Sequence, residues 1–325
     1  MPARVPLLDL SAFRGGDRVA FGRRLDAVCR DLGFLVVAGH GVGAALVRRM
    51  HEVSAAFFAR PESEKRQLLV ADGYIHGWTG PRQSYLADTL AGREAAPPDW
   101  KEGFSIGPPV PPPGMTPQEA PYFAQTRWPA GVADFSGTWL QYYRAMERLA
   151  ADLMAAMACA LGLPEGYFAP FIDRHITGLS AQFYPPQRDA AAPGQLRAGA
   201  HTDFGSLTIL HPGDNSSGLQ VRDHDGAWRD VAAPWDGFVV NIGDLMAQWT
   251  NNRWVSTLHR VLNPPPERAH LPRQSIAFFH QPNWHAEIAA LPGCGAPHHA
   301  PTTSGAHFER KLTALRGGIT VGAAS

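Results

Sequence analysis

The sequence has little cysteine, no surplus of charge and no long apolar run. Its 325 residues include three cysteines, Cys29, Cys159 and Cys294, far apart and with no Cys-x-x-Cys pair. That spacing fits neither a disulfide framework nor a structural zinc site, and a reducing, cytoplasmic compartment is expected. Lys and Arg number 29, as do Asp and Glu, so the chain offers no basic footprint for a phosphate backbone. Nucleic acid is therefore not an expected partner. The opening MPARVPLLDL has no basic region followed by an apolar stretch, and the most apolar later segment, 149–163, is interrupted by Asp152. Neither a secretory leader nor a membrane span is expected. Hydrophobic residues make up 45% of the chain, enough at this length for a large core without staples.

Early helical and strand patterns alternate. After an extended Val5-Pro6-Leu7-Leu8, the residues Phe21, Leu25, Val28, Cys29 and Leu32 share one helix face, with Asp17 as a cap and Gly33 as a stop. A strand over 34–38 follows, then a helix carrying Leu46, Met50, Val53 and Phe57 and ending near Arg60, before Pro61. The prolines between 95 and 121 predict a long surface connection holding at most a short strand at 101–106. Trp139, Tyr143, Met146, Ala150, Leu153, Met157 and Leu161 then mark a long helix that stops at Gly162. From about 175 to 290 the chain reads as short β runs separated by turn residues, among them 180–184, 201–210, 237–242, 256–262 and 273–280. Their intervals suit a β-sandwich, jelly roll or barrel better than βαβ units.

Chemistry concentrates in that β-rich part. His201-Thr202-Asp203, read as part of a strand, places an imidazole and a carboxylate on one face, where they can share a metal. His259 offers a third ligand that a jelly roll could bring alongside. Two histidines and a carboxylate on one face of an octahedron leave three positions open, the arrangement of non-haem Fe(II) oxygenases. One histidine-x-aspartate in a chain with 14 histidines is weak alone. Arg273 and Ser275, two apart on a later strand, strengthen it, because a guanidinium and a hydroxyl on one face can dock a carboxylate.

These motifs resemble the 2-oxoglutarate and Fe(II)-dependent oxygenases related to isopenicillin N synthase. The likeness runs through VPLLDLSAF, DLGFLVVAGHGV, DWKEGFSIGP, QFYPP, GAHTDFGSLTIL, SGLQVRDHDGAW, GFVVNIGDLMAQWTNNRWVSTLHRV and RQSIAFFHQP, in the family's order. It implies a mainly β fold with flanking helices, a double-stranded β-helix (jelly roll) core behind an N-terminal mixed α/β region. The implied divisions are 1–120 for that region, 121–174 for a linker and long bracing helix, 175–290 for the core and 291–325 for a tail and helix. Also implied are iron ligands at His201, Asp203 and His259, and contacts to 2-oxoglutarate from Tyr184, Arg273 and Ser275. The asparagine of the family's Asn-x-Tyr motif is replaced here by Gln182, whose role is not carried over.

The resemblance implies oxidation of a small-molecule substrate, most simply hydroxylation, with O2 consumed and succinate and CO2 released. Three alternatives stay open: an oxidase like isopenicillin N synthase that does not use 2-oxoglutarate, an ethylene-forming fragmentation of 2-oxoglutarate, and a metal-free small-molecule binding protein. A tail without glutamine favours 2-oxoglutarate over the oxidase. Phe204, Trp249, Phe279 and His280 flank the inferred site, Trp78, Arg82 and Tyr85 lie in a stretch readable as a lid, and 185–200 could also cover the site. Core packing or a solvated loop is the competing reading for each, and for His298-His299 a solvated loop is preferred. Substrate and oligomeric state are left open.

Overall fold

A computed structural model describes residues 5–70, 76–81, 86, 97–187, 189, 191–214 and 217–317. Strand β1 (Leu7–Asp9) leads into α1 (Leu10–Arg14), where Asp9 caps the helix by accepting from the Ser11 backbone N–H at 2.9 Å. Helix α2 (Arg18–Asp31) buries Phe21, Leu25 and Cys29 on one face. Asp17 occupies its N-cap position without a side-chain hydrogen bond to the helix. Gly33, at φ +64°, turns the chain into β2 (Phe34–Ala38); a Cβ there would meet the Val255 carbonyl oxygen at 2.1 Å. Helices α3 (Ala44–Phe58) and α4 (Glu62–Lys65) precede β3 (Gly77–Thr79) and β4 (Glu102–Ile106).

Helix α5 (Phe135–Ala160) is the long apolar helix expected from the periodicity, and Asp152, on its partly exposed side, pairs with Arg14. Then come α6 (Ala169–Ile172), β5 (Gly178–Tyr184), β6 (Ala198–His201), β7 (Leu207–His211), β8 (Leu219–Arg222), β9 (Trp228–Asp230), β10 (Phe238–Ile242), α7 (Asp244–Trp249), β11 (His259–Val261) and β12 (Arg273–His280). A small pair, β13 (Glu287–Ile288) and β14 (Thr302–Thr303), leads into α8 (Ser304–Gly317). Among the described residues no helix is long and apolar enough to cross a membrane.

The strands form a large sheet in the order β1-β2-β10-β7-β12-β5-β4-β3 and a smaller one in the order β6-β11-β8-β9. Side-chain alternation divides the large sheet's two faces. On β12, Ile276 and Phe278 join the main core with Trp139, Tyr143 and Met146 of α5, and the Phe278 ring packs edge-on to Tyr143 at 5.2 Å. The alternate residues Arg273, Ser275, Ala277 and Phe279 face a cavity between the sheets. Its opposite wall includes Ala198 and His201 of β6, Leu219 of β8, and His259 and Val261 of β11. The jelly roll is thus closed on its outer face by the helices and left open between its sheets.

Several readings of the sequence need correction. The run 201–210 is two strands, β6 and β7, with Asp203 in the link between them. The link is held by backbone bonds, with the Asp244 N–H donating to the Asp203 carbonyl and the Ser206 N–H to the His280 carbonyl. Between the expected runs 237–242 and 256–262 the chain forms helix α7, and of 256–262 only 259–261 pairs as a strand. The Pro-rich 95–121 segment is not wholly at the surface: β4 inside it is largely buried and pairs with β5 along its whole length.

Gly205 and Gly243 let this link pass close to its neighbours. A Cβ at Gly243 would lie 2.2 Å from the Gly205 carbonyl oxygen, and one at Gly205 would lie 2.2 Å from that of His280. Gly243→Ala should therefore cost about 1–3 kcal/mol in urea unfolding through backbone overpacking. Gly166→Ala, which meets nothing within 4 Å, is the control and should stay within about 1 kcal/mol of the parent. Equal effects of the two substitutions would show that the close approach does not constrain the fold.

Candidate metal centre and carboxylate clamp

Strand pairing delivers the first two candidate ligands. Residue His259 of β11 sits directly opposite His201 of β6 in the antiparallel register, with ring centroids 4.3 Å apart. Asp203, in the link after β6, turns its Oδ1 to both: 3.8 Å from His201 Nε2 and 3.7 Å from His259 Nε2. The ligating atoms all lie within 4.8 Å of one another, and this is the one such group of three among the described residues. The three side chains lie together as the same-face argument expected, but a turn and not a continuous strand brings Asp203 round.

Hydrogen bonds prepare each of the three. His201 Nδ1 lies 2.7 Å from the Gly199 carbonyl and His259 Nδ1 3.1 Å from that of Thr257. A carbonyl only accepts, so both Nδ1 atoms carry a proton and both Nε2 atoms are turned to the centre. Burial, with His259 adding to it, lowers the His201 pKa to about 3, so its imidazole is neutral at ordinary pH. Burial would push the Asp203 carboxyl up. His259 and His201, with hydrogen bonds from Thr208 and Asn241, outweigh it and hold the pKa below the usual carboxylate range.

Thr208 Oγ1 donates to Asp203 Oδ2 at 2.6 Å and Asn241 Nδ2 donates to the same oxygen at 2.7 Å. Oδ1 is left for the centre. Sequence reasoning missed both residues, although one signal was there: a lone asparagine inside the apolar run Phe238-Val239-Val240-Asn241-Ile242. Two imidazoles with Nε2 facing the centre, one carboxylate and an open side fit a ferrous ion, whereas a closed tetrahedral zinc site would need a fourth protein ligand.

Across the cavity, β12 and β5 place Arg273 opposite Tyr184 and Ser275 opposite Gln182. Arg273 is 1% exposed. Its Nη1 lies 3.3 Å from Ser275 Oγ, its Cζ is 4.9 Å from the Tyr184 ring centroid, and its Nε and Nη2 have no hydrogen-bond partner. Burial lowers its pKa, with Tyr184 opposing, yet a guanidinium stays charged in proteins. Such a buried cation needs an anion, and no described carboxylate reaches it. Gln182 donates instead to Ser180 Oγ at 2.6 Å.

Residues 5–131 match the model of the N-terminal region of the non-haem dioxygenases in morphine synthesis, and residues 175–282 that of the 2OG-Fe(II) oxygenase superfamily. Validamycin A dioxygenase of Streptomyces hygroscopicus subsp. limoneus is 33% identical over 296 residues, covering 90% of this chain and 80% of its own. The chain belongs to the 2OG-Fe(II) oxygenase superfamily. A homoarginine-6-hydroxylase of Oryza sativa subsp. japonica is 29% identical to this oxygenase over 332 residues, covering 95% of this chain and 96% of its own. The crystal structure of a full-length Neurospora crassa protein in complex with alpha-KG superposes with a TM-score of 0.83 at 29% identity, over 95% of this chain and 96% of that one. The oxygenase is accordingly an oxidoreductase of the isopenicillin N synthase-like type that uses Fe(II) and 2-oxoglutarate.

Other residues singled out in the sequence divide. Phe204 and Phe279 line the cavity, whereas Trp249 belongs to the core and buried His280 bonds Ser206 Oγ through Nδ1 at 2.6 Å. Trp78 is core, its Nε1 donating to Glu102; Arg82 and Tyr85 lie outside the described residues. His298 and His299 are exposed, and Cys29 is buried in the core.

For a divalent metal held by His201, Asp203 and His259, Asn241→Ala should weaken binding by about 10–100-fold, because the carboxylate loses one of its two orienting donors. Titration with Co(II), followed by visible absorption, measures this. An unchanged dissociation constant in a folded variant would remove Asn241 from the centre's support.

Proposed function

We propose that His201, Asp203 and His259 hold the oxygenase's Fe(II), that Arg273, Ser275 and Tyr184 hold the far carboxylate of 2-oxoglutarate, and that a small soluble molecule is hydroxylated in the cavity between the sheets. The observation that carries this reading is the guanidinium of Arg273, buried in the same cavity as the triad with its Nε and Nη2 unpartnered. A dicarboxylate spanning the two satisfies both ends at once. The chemistry supplied at the centre is coupled oxidation, in which O2 is consumed, 2-oxoglutarate gives succinate and CO2, and a substrate C–H becomes C–OH.

The protein's part is positional. His201 and His259 present Nε2 to the centre, His201 without first losing a proton, Asp203 contributes the one anionic ligand, and Arg273 fixes the direction of the cosubstrate. Phe204 and, from α8, Phe308 and Leu312 form apolar wall that keeps water from the reacting centre. A small substrate suits a cavity of about 330 Å³. The Neurospora crassa protein has also been crystallised with alpha-KG and thymine, a molecule of this scale. Three unpaired cysteines agree with a reducing, cytoplasmic setting.

An oxidase without 2-oxoglutarate would use Arg273 for a substrate carboxylate instead. Arg273→Ala separates the two. Removing one partner of a buried charge pair costs about 3–5 kcal/mol, so the affinity for 2-oxoglutarate should fall by about two orders of magnitude or more. Metal binding should stay within about threefold of the parent, because the guanidinium does not touch the triad. Succinate release under Fe(II) and air, screened over a panel of small molecules, gives the activity readout. Unchanged turnover of 2-oxoglutarate in the variant would overturn the clamp.

A further inference from the structure

The cavity holds one cation more than the proposed iron and cosubstrate require. Its charged lining residues are Asp203, Arg273 and Lys101. On the reading above, Fe(II) and 2-oxoglutarate cancel each other, and Asp203 and Arg273 do the same. Lys101 is left over. We propose that Lys101 is a specificity determinant, anchoring an anionic group, a carboxylate, on the oxygenase's substrate.

Local geometry places it there. Gly103 and Ser105 of β4 pair with Gln182 and Ser180 of β5, and Ser105, Gln182 and Ser180 line the cavity. Lys101, of the same parity and just before the strand, joins that wall. Its neighbour Glu102 belongs to the alternate set and is already engaged: both carboxylate oxygens accept from Lys65 Nζ at 2.8 Å, and one accepts from Trp78 Nε1 at 2.7 Å. Among the described residues no carboxylate lies within ion-pair distance of Lys101. A half-buried ammonium with no carboxylate partner is incompletely solvated and favours an anion.

The position of the charge separates substrate from cosubstrate. The segment that carries Lys101 runs beside β6: the Trp100 N–H donates to the Leu196 carbonyl at 2.9 Å, and the Gly199 N–H, two residues before His201, donates to Asp99 Oδ1 at 2.8 Å. Lys101 therefore lines the cavity on the side where β6 carries His201. There the near carboxylate of 2-oxoglutarate has the metal as its partner, and its far carboxylate has Arg273. A third carboxylate, on the molecule to be oxidised, is the group left to pair with Lys101. Its apolar body would lie against Phe204, Phe308 and Leu312.

This inference rests on the proposed site, and its test keeps the two apart. Full-length protein loaded with Fe(II) and 2-oxoglutarate without oxygen is titrated calorimetrically with acid and amide pairs: indole-3-acetate and indole-3-acetamide, cinnamate and cinnamamide, phenylacetate and phenylacetamide. At least one acid should bind about tenfold more tightly than its amide, and Lys101→Met should abolish that preference while Lys101→Arg keeps it. The affinity for 2-oxoglutarate should change by less than about twofold in Lys101→Met. A preference that survives in Lys101→Met, or a parent protein favouring none of the acids, overturns the proposal. So does a loss confined to 2-oxoglutarate binding, which would assign Lys101 to the cosubstrate. If Arg273→Ala keeps its 2-oxoglutarate affinity, the clamp fails, and the acid-to-amide ratio still reports on Lys101.

Discussion

The structure depends most on the register between β6 and β11. His201 and His259 lie opposite each other in that antiparallel pair, and a slip by one residue would turn one imidazole out of the cavity. Two features hold the register. The other edge of β11 pairs with β8, setting His259 against Val221 and Val261 against Leu219. An irregularity between His259 and Val261 absorbs the mismatch with β6, where Val261 faces Ala198. Each strand is short, so apolar contacts of Val221, Val261, Leu219 and Ala198 with Phe34 and Val239 of the facing sheet must help keep the pairing. The candidate metal centre is thus fixed by strand pairing and packing that reach beyond the triad itself.

Around the centre, the distribution of charge follows from its burial. Bringing Asp203 and Arg273 into a low-dielectric cavity is costly, and the protein treats them differently. Asp203 is given two donors on one oxygen and two imidazoles beside the other, so its charge is stabilised in the structure itself. Arg273 receives only a serine contact and an aromatic face, and its remaining donors await a partner. A site in which one charge is compensated and the opposite one is not is built to gain from binding an anion. Lys65 and Glu102 show the contrasting case: a buried pair satisfied internally, with Trp78 completing it and nothing left over.

Periodicity and turn residues reveal a good deal of this architecture. The α5 face, the stop at Gly33 and the short spaced strands all follow from local rules, and the candidate triad and clamp stand out because their residue types are unusual in β runs. What local rules missed depends on long-range contact. Asp203 leaves the strand because the link passes Gly205 and Gly243 in close backbone contact, a constraint set by residues about 40 positions apart. Asn241 and Thr208 are ordinary strand residues until β10 and β7 pair and bring them to one carboxylate. The Pro-rich segment looks exposed because its prolines dominate the composition, while the strand inside it is buried by pairing with β5.

The division of labour within the cavity has a structural basis. The candidate metal and clamp residues lie on or beside β6, β11, β12 and β5, strands tied into the jelly roll by hydrogen bonds on their neighbours. The further wall comes partly from attachments to it: Lys101 and Ser105 from the N-terminal region, Phe308 and Leu312 from α8. Lys311, between those two, ties α8 back to the jelly roll by an ion pair to Asp244, whose Oδ2 also accepts from Thr202 Oγ1 at 3.1 Å, one residue from each of His201 and Asp203. The attachments are therefore registered against the metal centre without supplying ligands to it. Substitutions on β4 or α8 can change the shape and charge offered to a substrate while the strands that hold the triad keep their pairing.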